Sequence, residues 1–368
     1  MKKLLIVGAF PPLGKKIFGG IARSCNLLIK SEEFSKFEII RLDSSQISHP
    51  PPNFLIRLAL SVVRMNRFIY EMIKHKPRVV LIFCSDGASA IEKGVMVLIS
   101  HLFNSKQIIF PRAGNLINQV NNSHIMYHLI KFLFSKSDIF LCQGKKWREF
   151  AHNKLKIDIS KIKIINNWSA EDDLFKIGAN KFIIEDSRII KILFVGWLEK
   201  EKGVYEMINS FKQLVDKNLN IELIIVGDGS LKKIFNDLLN QKKFENKIKL
   251  NGWLSEEKLK YVYEESDIFI LPSWQEGMPN SLIEATACGL PSICTDIGMV
   301  SDYYLNNEDI IIIKSKNQNI LAKSLEKLIN DVNLRKKLSV NGRLVAKKMF
   351  STNTNLRKLS KIIKEQIT

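Results

Sequence analysis

Twelve short apolar runs rich in Val, Ile and Leu, set in two series, constrain this 368-residue chain more than any other feature. The first series is LLIVG (4–8), FEIIRL (37–42), RVVLIFC (78–84), QIIF (107–110), DIFLC (138–142) and KIKII (161–165). The second is IKILFVG (190–196), IELIIVG (221–227), IKLNG (248–252), DIFILP (267–272), LPSIC (290–294) and DIIII (309–313). A strand with one wet face alternates apolar and polar residues. These runs are nearly continuous, so they read as strands covered on both faces, as in parallel sheets. Longer amphipathic stretches separate them. Two such series predict an α/β chain of two doubly wound, Rossmann-like domains facing each other across a cleft. The polar stretch 166–182 reads as a linker, which places the domains at 1–180 and 181–350. Residues 351–368 form a closing helix. Its stripe of Leu356, Leu359, Ile362 and Ile363 needs a surface to cover and is expected to cross back to the first domain.

The opening MKKLLIVGAFPP has the look of a signal peptide, but its apolar run stops at Phe10 and no small-residue cleavage site follows, so it reads as a first buried strand. No apolar run approaches the ~18 residues of a membrane span. The five cysteines (25, 84, 142, 288, 294) are scattered and lack metal-ligand spacing, as reduced core cysteines of a cytosolic protein would be. Charge is unevenly distributed. Residues 1–180 hold 27 Lys/Arg against 13 Asp/Glu, or +14, and the remainder holds 29 against 24, or +5. The first half is therefore expected to meet something anionic.

The stretch EGMPNSLIE (276–284) sits where chemistry is expected. Leu271-Pro272-Ser273 ends a strand, Pro279 suits the first turn of a helix, and Gly289 with Pro291 suits its end. Glu276 then lies in a strand-to-helix loop and Glu284 lies one to two turns into the helix. The amides of Gly277, Met278, Pro279's successors Asn280 and Ser281, and Leu282 surround a helix start that attracts an anion. Two carboxylates flanking a phosphate site fit a ligand that joins ribose, phosphate and sugar.

At this point PSWQEGMPNSLIEATACGLPSICTDIG resembles the E-x7-E region of retaining glycosyltransferases of the GT-B fold, the group 1 or GT4 family. ILFVGWLEKEKGVYEMI (192–208), LIIVGDGSLKKI (223–234), VYEESDIFILPS (262–273) and DVNLRKKLSVNGRLVAKKMF (331–350) are similar to further segments of that family. The likeness is looser in GAFPP…GGIARSCNLL (8–28), SDIFLCQGKKWREF (137–150) and IKIINNW (162–168). The resemblance implies that Glu284 holds the donor ribose, that Glu276 lies near the donor sugar, and that Lys202 neutralises the diphosphate as the leaving group gains charge. Gly196 and Gly227 would line the donor site. Gly19 and Gly20 would let backbone approach a ligand closely. Arg112, in FPRAGN, stands where the family often has a histidine and would face donor or acceptor sugar. The resemblance also implies retention at the anomeric carbon without a metal or other cofactor.

Trp197 departs from the family pattern, which has an arginine after the glycine. Lys202 acting alone, a second cation, or stacking of Trp197 on a ligand are each open. His124 and His128 are four apart on a helix but lack further ligands, so no zinc site is expected. No Asp-x-Asp metal motif occurs, and Glu171-Asp172-Asp173 reads as a solvated charge run. The segments 54–78 and 123–136 are apolar with basic edges. They suit an anionic membrane surface, and because the first half binds the acceptor in the resembled family, the resemblance implies a lipid-linked glycan acceptor at the cytoplasmic face of a membrane and, as a setting, assembly of a bacterial surface polysaccharide such as O-antigen or capsule. Nucleic acid is not expected, because no aromatic platform interleaves with the basic residues. Two rival readings keep the fold: a nucleotide-sugar epimerase, and a non-catalytic nucleotide-sugar-binding protein.

Overall fold

The computed structural model describes residues 2–11, 19–45, 52–181 and 189–367. The chain divides into two compact units, residues 1–169 with 352–368, and residues 170–351. Each is built on a six-stranded sheet whose strand pairs are all parallel.

The first sheet consists of β1 (Lys2–Gly8), β2 (Phe37–Asp43), β3 (Val79–Cys84), β4 (Lys106–Pro111), β5 (Ile139–Cys142) and β6 (Ile162–Ile164), in the order β2-β1-β3-β4-β5-β6. The order reverses between β1 and β3. The second sheet consists of β7 (Ile190–Val195), β8 (Ile221–Val226), β9 (Ile248–Leu250), β10 (Ile268–Leu271), β11 (Ser292–Thr295) and β12 (Ile311–Ile313), in the order β12-β11-β10-β7-β8-β9. Its reversal lies between β7 and β10. In open α/β sheets such reversals open a crevice at the strand carboxyl ends, where ligands bind. All twelve expected strands are present. The central strands β3, β8 and β10 are buried along their whole length, as continuous apolar runs require.

Segment 166–182 is not an extended linker over its described residues. Asn166 and Asn167 are buried, and Trp168 is 1% exposed in the first unit's core. Its indole donates to the Ser24 carbonyl at 2.9 Å. A helix, Asp172–Ala179, follows and packs on the helix Asn280–Ala287. Polarity signalled a linker because the stretch opens with asparagines and a charge run. The asparagines are buried, Gln143 donating to Asn167 at 2.7 Å, and Asp173 pairs with Lys176 and Lys260, each at 3.0 Å.

The closing helix Thr352–Glu365 belongs to the first unit. Leu356, Leu359 and Ile363 are fully buried there among Leu4, Phe34, Phe37 and Val79. Burying each such side chain contributes about 1.5–3 kcal/mol. Arg357 adds an exposed ion pair to Glu33 at 3.2 Å.

Candidate active site

The second unit gathers most of the expected site residues at the reversal of its sheet. The loop leaving β7 carries Gly196, Trp197 and, in a single 3-10 turn, Lys202. The loop leaving β10 carries Glu276 and Gly277 and runs into the helix Asn280–Ala287. These two loops are tied together. Trp274 N donates to the Glu201 carbonyl at 2.8 Å, and the Trp274 indole donates to Glu206 Oε1 at 3.0 Å. Gly203 ends the 3-10 turn at φ +70°, and a Cβ there would collide with the Pro272 carbonyl. Only glycine permits both that conformation and that approach.

This junction sets Lys202 Nζ against Glu276 Oε1 in an ion pair, with side chains 23% and 18% exposed. Ser273 Oγ, itself buried, donates to the same oxygen at 3.3 Å. The family resemblance gives these two residues separate partners, phosphate for Lys202 and sugar for Glu276. The structure makes them partners, 74 residues apart in the chain.

The helix Asn280–Ala287 starts at Pro279, which offers no side-chain cap, and its first turn contains no acidic residue. First-turn amides have no intrahelical acceptor, so this end is suited to an anion. Glu284 lies on this helix, 6% exposed, and accepts from the Tyr263 hydroxyl at 3.1 Å. An ionised carboxylate has about four acceptor positions, so Tyr263 occupies one and orients the rest.

The loop leaving β11 closes the other side. Gly298 (φ +52°) lies against the Gly277 and Glu276 carbonyls, where a Cβ would collide, and Met299 N donates to the Gly277 carbonyl at 2.9 Å. Gly298, Gly203 and Tyr263 had not been singled out from sequence. Gly298 stands in a turn soon after β11 and Gly203 next to Lys202 in the EKG segment, signals that were available. Tyr263 gave none, because its role depends on a contact 21 residues away.

Trp197 meets Trp253 edge to face, with ring centroids 4.9 Å apart. Three lysines border the β10 loop. Lys202 pairs with Glu276, while Lys316 Nζ and Lys200 Nζ lie 4.6 and 5.5 Å from the Trp274 ring centroid. Gly227, after β8, holds the strand ends in register: Gly196 N donates to the Val226 carbonyl at 3.0 Å and Gly227 N to the Gly252 carbonyl at 2.9 Å.

The remaining expected residues lie in the first unit. Gly19 and Gly20 are exposed at the start of the helix Gly20–Lys30. The segment joining Pro11 to Gly19 lies outside the described residues. Arg112 follows β4, buried, and donates to Ser24 Oγ at 2.9 Å. Burial lowers its pKa to about 10. His124 and His128 approach at 3.1 Å between Nε2 atoms on an exposed helix face. Among the described residues no cluster of three or more His, Cys, Asp or Glu is arranged to hold a metal.

Residues 179–345 match the model of the family described as glycosyl transferases group 1. The chain is 30% identical over 208 residues to the capsular polysaccharide biosynthesis glycosyltransferase CapM of Staphylococcus aureus, covering 53% of this chain and 49% of that one. It is 29% identical over 211 residues to the glycosyltransferase MJ1059 of Methanocaldococcus jannaschii, covering 55% and 52%. It is also 26% identical over 216 residues to an N-acetylgalactosaminyltransferase of Campylobacter jejuni that acts on a diphospho-undecaprenol-linked sugar, covering 58% and 57%. The matches thus span about half the length of these relatives. Across the whole chain the fold is similar to sucrose-phosphate synthase from Thermosynechococcus elongatus (TM-score 0.79, 14% identity, 100% and 99% covered). It is likewise similar to HepE from Anabaena in complex with UDP-glucose (TM-score 0.70, 14% identity, 99% and 100% covered).

Proposed function

We propose, from the premise that the second unit of this GT-B chain is a group 1 glycosyl transferase domain, that the protein moves a sugar from a nucleotide-sugar donor to a lipid-linked glycan with retention at the anomeric carbon. The observation that carries the reading is the convergence of Lys202, Glu276, Glu284 and an uncapped helix start at the reversal of the second sheet. The diphosphate lies on the amides of the helix Asn280–Ala287. Glu284, oriented by Tyr263, accepts from ribose hydroxyls. Lys202 exchanges Glu276 for a phosphate oxygen when donor binds, and Glu276 turns to the donor sugar. As the glycosidic bond breaks, the leaving diphosphate gains negative charge, and the ammonium with the helix amides stabilises it. Lys200 and Lys316 supply further positive charge beside the same loop. No metal takes part in this reading. Phosphate charge is met by ammonium groups and amides, and the leaving phosphate accepts the acceptor's proton.

The lipid-linked acceptor places the first unit at an anionic membrane surface, on the cytoplasmic side, for surface polysaccharide assembly. Among the described residues no helix is long and apolar enough to cross a membrane. The helix Phe54–His75 buries only Phe68 and Met72 of its 22 residues. Phe54, Leu55, Ile56, Leu58, Val62 and Val63 are exposed, beside exposed Arg57, Arg67 and Lys74. Ile125, Leu129 and Phe132 are exposed on the helix His124–Ser135. Both helices pack on the helix Ala88–Leu102. Exposed apolar residues with basic neighbours suit the interface of a bilayer. Names among the relatives support the setting: CapM is named for capsule and the Campylobacter enzyme for a polyprenyl-linked acceptor.

The test is product analysis by NMR with an α-linked nucleotide-sugar donor and a polyprenyl-diphosphate sugar. An α-linked product formed only with acceptor present is expected. A β-linked product would refute retention. Donor turnover without acceptor would favour an epimerase, and no turnover of any donor a binding protein.

A further inference from the structure

Arg112 follows β4 at the carboxyl end of the first sheet, its amide still donating to the Cys84 carbonyl at 2.9 Å. The side chain is 8% exposed. Its guanidinium lies 4.9 Å from the Phe110 ring and 5.2 Å from the Trp168 ring. Nη2 donates to Ser24 Oγ at 2.9 Å. Nη1 is buried without a hydrogen-bond partner. No carboxylate among the described residues forms an ion pair with Arg112, and burial is the main cause that lowers its pKa. Burial leaves the group at about 10, so it is a cation at neutral pH.

A buried charge is costly unless it is paired, and an apolar side chain of similar volume would fill the same space without that cost. A purely structural role therefore does not explain a guanidinium here. Phe110 and Trp168 hold its plane in place. Ser24 belongs to the helix Gly20–Lys30 that follows β1, so the group stands at the strand ends where such sheets bind ligands. In this poorly hydrated setting an anion gains far more from the cation than it would in water.

We propose that Arg112 receives an anionic group of the acceptor, a sugar carboxylate or a phosphate, and so selects an acidic acceptor. This rests on the transferase reading above. A planar guanidinium also presents paired donors to a carboxylate or phosphate, which a lysine does not.

Ligand-observed NMR titrations of the full chain with D-glucuronate, inorganic phosphate and D-glucose test it. The wild type is expected to bind one of the two anions at least tenfold more tightly than glucose. Tighter glucuronate identifies a uronic-acid acceptor, and tighter phosphate a phosphorylated one. Arg112→Met should abolish the preference, and Arg112→Lys should weaken the anion's affinity at least threefold while keeping its sign. UDP, GDP, ADP and CDP titrated into the same samples report the second unit, and circular dichroism with urea unfolding reports the fold of both units. At least one nucleotide should bind all three proteins equally with unfolding unchanged, and failure of every nucleotide to bind the wild type would contradict the transferase reading rather than this one. Equal binding of anions and glucose by the wild type, or a preference that survives Arg112→Met, would overturn the proposal.

Discussion

Replacing Lys202 with alanine separates the ion pair its ammonium group forms with Glu276 from the catalytic role proposed for it. In the free protein Lys202 pairs with Glu276, both side chains about a fifth exposed. Exposed pairs are worth about 0.2–1 kcal/mol, and breaking fully buried ones costs about 3–5. A pair of this exposure, with Ser273 still donating to the carboxylate, should contribute roughly 1 kcal/mol. Lys202→Ala is therefore expected to unfold at only slightly lower denaturant concentration. In the proposed reaction the ammonium meets charge that develops on the leaving diphosphate. Loss of one such contact lowers rate by about 10²–10³, or about 2.7–4 kcal/mol. The kinetic loss should exceed the stability loss by a factor of about three. Steady-state kinetics of wild type, Lys202→Ala, Glu276→Gln and the double variant, with urea titrations of each, provide the comparison. If the two residues act on one transition state, the double variant loses less than the sum of the singles. A folded Lys202→Ala enzyme within threefold of wild-type kcat/KM would refute the reasoning, because the diphosphate charge would then be met elsewhere.

Glu284→Ala should raise the donor KM at least tenfold with a smaller change in kcat, because ribose contacts exist before and during reaction; a pure kcat loss in initial-rate data would contradict that assignment. Vesicles with anionic lipid should pellet the protein and release it as salt rises, and Arg57→Gln with Arg67→Gln and Lys74→Gln should weaken this, since each basic group near such a surface contributes about 1 kcal/mol. Equal pelleting with neutral vesicles would remove the membrane from the account. Leu359→Ala should destabilise the first unit by about 2–5 kcal/mol, measured by urea unfolding, because the side chain is fully buried in that unit's core. All five cysteines are buried, and burial raises each thiol, Cys25 to about 12. Alkylation at pH 8 should therefore be slow in the native protein and complete after denaturation, and rapid native labelling would contradict the burial.

The strands were legible because parallel strands covered on both faces leave continuous apolar runs, which a single sequence displays directly. The closing helix was legible for a related reason: Leu356, Leu359 and Ile363 form a stripe that needs a core, and they found one in the first unit. Helix Asp172–Ala179 was not, since its charged first turn resembles a solvated loop and its packing partner lies about 100 residues downstream. Glu276 and Glu284 could be placed on a loop and on its following helix from turn and helix signals, and Lys202 through the family resemblance. Their partners could not, because the Lys202–Glu276 pair and the Tyr263–Glu284 hydrogen bond join distant segments. Arg112 could be singled out only by its place in the family resemblance, and its burial between Phe110 and Trp168 could not be read from sequence.

The central claim is that the second unit holds a nucleotide sugar between the uncapped helix start and Glu284. Its most direct test is the thermal unfolding of wild type and Glu284→Ala across a panel of nucleotide sugars, because a ligand that binds only the folded state stabilises it, by about 2.7 kcal/mol at one hundred times its Kd. The account predicts that at least one nucleotide sugar raises the wild-type Tm by several degrees and that Glu284→Ala loses most of that rise. A panel that leaves the wild type unmoved, or a rise that Glu284→Ala retains in full, would contradict it.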